Sequence, residues 1–306
     1  MKKSVLLIAV FCCALFTQAQ VIIDTVSLGP GYANQKWYSL QNDEQGSAPK
    51  DNWDLAFDVS GFGTSIHINS ITGNMLWTYP HGAIDAWTTV DTIGITTWLP
   101  KYNSDTSWGL GALDKGQVPT NGNDVGWGIY NSITHTIAGD SLFIIKLSTG
   151  AYKKLAIQNL AGGGYNFEYA DINGSNSHTH FIQKSNFTDK NFGYYSIINN
   201  AELNREPVTS ANWDILFTQY TAFIPSPYTV AGVLSNKGVE VVQVNDINDI
   251  NTYSNWPAHA FSSDISTIGY DWKSFAGTWN IEDSLVYFVK SKTGDIWKMI
   301  YSGFTG

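Results

Sequence analysis

Asn52-Trp53-Asp54-Leu55-Ala56-Phe57 returns 160 positions later as Asn212-Trp213-Asp214-Ile215-Leu216-Phe217, and a tyrosine-serine pair precedes each copy, Tyr38-Ser39 and Tyr195-Ser196. Downstream, Asp140-Ser141-Leu142, Lys146, Thr149-Gly150 and Lys154 are echoed in order by Asp283-Ser284-Leu285, Lys290, Thr293-Gly294 and Lys298. Three blocks in one order make a tandem repeat, so the chain is read as two related units. Trp53, Leu55 and Phe57 alternate with Asp54 and Ala56, which is strand periodicity and places the three apolar side chains on one face. No helical period is sustained anywhere. The expected fold is all-β, with two antiparallel β-rich units in tandem and very little helix.

Working outward, Val21–Val26 reads as a strand stopped by Gly29-Pro30-Gly31, and Trp37–Leu40 as the next. Leu142–Leu147 and Tyr152–Ile157 flank Ser148-Thr149-Gly150, the spacing of a hairpin, and Tyr165–Tyr169 continues the meander. Thr229–Leu234 and Val239–Val244 read as another hairpin about Ser235-Asn236-Lys237-Gly238. Residues 77–128, rich in Trp, Thr, Gly and Asn, predict short strands and ordered loops. The polar stretch 171–190 serves as the boundary, giving a first unit at 20–185 and a second at 186–306. Trp53 to Trp213 is 160 positions and Gly150 to Gly294 is 144, so the second copy lacks about 16 residues, an insertion suited to a surface loop. The second unit has no counterpart of Tyr165–Tyr169, so it is expected to be truncated at its last strand, within a longer parent.

Residues 1–19 have the charged start, apolar middle and small-residue exit of a secretory signal peptide, too short to be kept as a membrane span. The mature protein is therefore expected to be secreted or at the cell surface, without a transmembrane segment. Cys12 and Cys13 both lie in that leader, which removes disulfides, thiolate metal sites and cysteine nucleophiles from the mature chain. Of 17 basic residues Lys2 and Lys3 go with the leader, leaving 15 against 26 acidic and a charge of about −11. Such a surface repels nucleic acid and anionic lipid. Aromatics at 14% against charged residues at 14% suit half-buried strands better than surface helices.

These motifs resemble the HmuY family, haem-binding proteins exported to the surface of Bacteroidota. The resemblance is carried by Trp37-Tyr38-Ser39-Leu40, by Trp53–Phe57, by Ile66–Asn69 and by the Thr149–Leu155 hairpin, and it extends over nearly all of both units. It implies an all-β fold that holds haem between His or Met ligands on variable loops, and leaves open which residues here would serve.

His67, Met75 and His81 are the haem-ligand candidates, since the segment from Ile66 to Pro100 joins them to Trp77, Tyr79 and Trp87. His178-Thr179-His180 would point both rings to one side of an extended strand, a metal-ligand spacing. Enzymatic readings are weaker. Gly139-Asp140-Ser141-Leu142 matches the motif of a class of serine esterases, but no Asp-x-x-His accompanies it and strand, not helix, follows the serine. Gly61-x-Gly63 and Gly109-x-Gly111 lack the third glycine and helix of a dinucleotide site. Asp54 and Asp214 are expected to bond backbone within their own units instead of forming an acid-base pair. The chain is thus expected to be a non-enzymatic binding protein for haem or a haemoprotein, or alternatively an adhesive or structural module for a surface glycan or protein.

Overall fold

A computed structural model describes residues 21–305; the leader and its two cysteines lie outside the described residues. Strand accounts for 39% and helix for 8%, with no helix of seven or more residues. Every strand pairing is antiparallel. Among the described residues no helix is long and apolar enough to cross a membrane.

Four sheets carry the structure. One runs Pro227–Ser235, Ile215–Phe223, Asn34–Ser39, Asp43–Pro49, and a second runs Ala201–Leu203, Phe192–Ser196, Leu55–Asp58, Ile66–Ile68. The third runs His178–Gln183, Gly164–Asp171, Tyr152–Ala161, Thr136–Gly139, Gly128–Asn131, with Met75–Thr78 joined through Leu142–Lys146. The fourth is Glu240–Val244, Val286–Lys290, Ile296–Met299, and a small hairpin, Lys273–Phe275 with Trp279–Ile281, stands apart.

The pairing of the repeated blocks is crossed. Leu55 lies opposite Tyr195, and Ile215 lies opposite Tyr38, so each signature strand pairs with the tyrosine strand of the other copy. Asp54 N–H donates to Tyr195 O at 2.9 Å, and Asp214 N–H to Tyr38 O at 2.8 Å. The carboxylates cross in the same way, contrary to the expectation of bonds within each unit. Asp54 accepts from Ile198 N–H and the Ser196 hydroxyl, and Asp214 from Leu40 N–H. The 185/186 division therefore does not separate two sets of sheets.

Other positions correspond without crossing. Asn69 Nδ2 donates to Lys50 O and Trp53 O, and Asn236 Nδ2 donates to Ser210 O and Trp213 O. Met75 lies opposite Lys146 and Glu240 opposite Lys290, and both hairpins close at glycines of positive φ, Gly150 and Gly294. Leu55, Phe57, Ile66, Leu76, Phe143 and Ile145 share the largest core with Trp127, Tyr165 and Phe167. Ile215, Val233, Val241, Tyr287 and Val289 form a second core, with Phe217 against it. Between the first two sheets stands Trp108, which packs against three further apolar clusters and donates its indole N–H to Ser235 O at 2.8 Å.

Four local expectations are corrected. Val21–Val26 is not a strand; Val26 packs on the second core and Asp24 accepts the Tyr38 hydroxyl. Thr229–Leu234 and Val239–Val244 do not pair together, because Asn236 anchors the turn to Ser210 and Trp213 and turns the chain into another sheet. His178–Gln183 is no polar linker but an outer strand beside Gly164–Asp171. Trp53 precedes its strand and packs edge-on to Tyr194, away from Leu55 and Phe57.

Candidate functional site

The long hairpin of Ile215–Phe223 and Pro227–Ser235 builds the wall of a cleft. Alternation along the first strand turns Tyr220 and Ala222 inward with Val230 and Leu234, where Ile265 and Tyr270 cover them. The turn containing Tyr270 docks on the hairpin through two backbone bonds, Val233 N–H to Gly269 O at 2.9 Å and Gly269 N–H to Val233 O at 3.1 Å. Glycine is required on both sides. A Cβ on Gly232 would stand 2.4 Å from Gly269 O, and Gly269 has φ +60°. The opposite wall comes from the loop carrying Asp105, held by Ile265 N–H donating to Thr106 O and by Tyr102 packing edge-on to Phe223.

The resulting cleft has a volume of about 290 Å³ and is lined by Asp105, Tyr220, Phe223, Gln243, Tyr270 and Asp271, among others. The Tyr220 ring is buried, while its hydroxyl, which bonds no protein group among the described residues, is not among the buried unsatisfied atoms and opens on the cleft. That hydroxyl and Asp271 Oδ1 converge, lying 3.5 and 3.7 Å from the point a Gly269 Cβ would occupy. Neither Asp105 nor Asp271 has an ion-pair partner among the described residues. The nearby Lys273 ammonium is used on Ala231 O at 2.6 Å and Tyr270 O at 3.4 Å, and burial pulls its pKa down to about 8 despite Asp271. Burial first, and then Tyr270, Asp105 and Asp271, push the Tyr220 phenol above its ordinary value, so it stays a neutral donor and acceptor.

The residues anticipated for haem do not gather. His67 is 5% exposed on the outermost strand of its sheet, with Nε2 2.9 Å from Trp108 O and Phe192 edge-on at 5.0 Å. Burial lowers its pKa to about 4, so it is neutral at pH 7 and donates to that carbonyl. The cavity it lines is about 90 Å³, and its Nε2 is taken up by that carbonyl. Met75 and His81 lie elsewhere. Met75 packs against the cluster of Trp77 and Tyr79, and exposed His81 sits edge-on to Tyr79 and Trp98.

His178 and His180 do share one side of their strand, their rings 6.1 Å apart and nearly parallel, with Tyr169 stacked on both. Asn200 Oδ1 accepts from His180 Nε2, Tyr169 and Tyr195, each at 2.7 Å, which ties His180 into a structural network. Among the described residues no three His, Cys, Asp or Glu side chains gather as for a metal ion. Ser141 bonds Asp140 and Gly126 O in a turn before the strand from Leu142.

Sequence reasoning missed Asp105, Tyr220, Tyr270 and Asp271. Only Gly269-Tyr270-Asp271, an aromatic and an acid directly after a glycine, offered a local signal. The chain matches no family model, no curated protein and no solved structure.

Proposed function

We propose that this chain is an exported, non-catalytic binding protein that holds a small polar ligand in the cleft of Asp105, Tyr220, Tyr270 and Asp271. The observation that carries it is the lining of that cleft, where the Tyr220 hydroxyl meets two carboxylates, Asp105 and Asp271, that stand in no ion pair among the described residues. The repeated aspartates support a binding role over an acid-base one, because both are committed to backbone N–H groups. Export rests on the pattern of residues 1–19. A screen of small polar compounds by NMR shift perturbation tests this: hits are expected to move Tyr220, Tyr270 and Gly269 and to weaken in Tyr220→Phe. Hits confined to other surfaces, with those resonances still, would defeat it.

A second reading, haem carriage, is favoured by one observation, the exposed His81 against Tyr79 and Trp98. A hemin titration decides it. A shifted Soret band lost in His81→Ala and kept in His67→Ala supports the reading, and no band at micromolar protein ends it.

A further inference from the structure

The cleft's composition points to a class of ligand, an inference that rests on the binding role proposed above. We propose that it takes a protonated amine or guanidinium carried on an apolar stem, either a free amine or the side chain of a basic peptide.

Three candidate ligands can be weighed against the same wall. A neutral sugar would hydrogen-bond Asp105 and Asp271 but leave both charges uncompensated, exchanging water for similar bonds. A calcium ion wants six to eight oxygen ligands and gains nothing from Phe223 and Ile224, which line part of this wall. An organic cation uses both kinds of surface. Its N–H groups donate to the two carboxylates and to the Tyr220 hydroxyl oxygen, and three aromatic residues, Tyr220, Tyr270 and Phe223, line the same cleft, where an aromatic ring attracts a cation. Its stem lies on Phe223 and Ile224, which are 42% and 47% exposed. Lys273 does not compete, since its ammonium is already bonded to backbone carbonyls. The net charge of −9 draws cations toward the surface as a whole.

The test is a titration of the full chain, followed by NMR and calorimetry, with 1,5-diaminopentane, an end-blocked lysine peptide, methyl glucoside and calcium chloride. The diamine or the peptide is expected to move Tyr220, Gly269 and Tyr270. Binding should weaken at least tenfold in Asp105→Asn and in Asp271→Asn, a few-fold in Tyr220→Phe, and progressively with salt. Unchanged melting of the three variants would separate lost binding from lost folding. Saturation by the diamine assigns a free amine as sufficient, and saturation by the peptide alone assigns a protein partner. Shifts with glucoside or calcium but neither amine overturn the cation class while the binding role stands. If neither these probes nor the small-compound screen moves the cleft, the binding role falls with it.

Discussion

Two buried ionisable side chains near the middle of the molecule pull its stability in opposite directions. Burial raises the Glu206 carboxyl to about 7, although it accepts from Asn191 N–H at 2.8 Å and from the Tyr194 hydroxyl. The folded state therefore holds that proton more tightly than the unfolded chain, and Glu206 stabilises below about pH 4.5, an effect lost as pH rises toward 7. His67, lowered to about 4, does the reverse: its contribution is present above about pH 6.5 and is lost as pH falls through 4. Each shift corresponds to about 3 kcal/mol. Glu206→Gln is expected to make urea stability fall more steeply with acid between pH 7 and 4 than in the wild type, and His67→Gln to tilt the curve the other way. Parallel curves for the three proteins would refute both assignments.

At the scale of elements, the cleft depends on how closely the Ser266–Asp271 turn approaches the long hairpin. Val233 and Gly269 exchange a reciprocal pair of backbone bonds there, and Gly269 O leaves no room for a side chain on Gly232. Gly232→Ala is expected to cost about 1–3 kcal/mol as an overpacked contact and to push the turn outward. Amide exchange at Val233 and Gly269 should accelerate more than at Leu55 or Phe57, which lie in the other core. Uniform acceleration would mean that the turn is not the element displaced. The same contact explains why ligand recognition would suffer without any change to Tyr220 itself.

The whole molecule is held by crossed pairing of its two repeated blocks. Because Leu55 pairs with Tyr195 and Ile215 with Tyr38, each half lacks one of the two partners of its own signature strand. Residues 20–185 alone would expose the edge of Leu55–Asp58 on the side where Phe192–Ser196 now pairs, together with part of a core that includes Tyr195. The expected outcome is that either half expressed alone is protease-sensitive and that mixing the two restores a single cooperative unfolding transition. A stable 20–185 fragment with dispersed amide resonances would show that the crossing is dispensable. Much of this molecule was legible in the chain itself. The strand-rich character and the Thr149-Gly150 and Thr293-Gly294 hairpins follow from local alternation and glycine turns, which short stretches encode. Partner choice was not legible, because Tyr38 and Tyr195 head similar strands and only long-range packing around Trp108 and the Asn69 and Asn236 anchors decides which copy each meets. The cleft was hidden for the same reason. Asp105, Tyr220, Gln243 and Asp271 are far apart in sequence, each in an ordinary local setting, and the site arises only where the tertiary structure brings a phenol and two carboxylates outside any ion pair to one cleft.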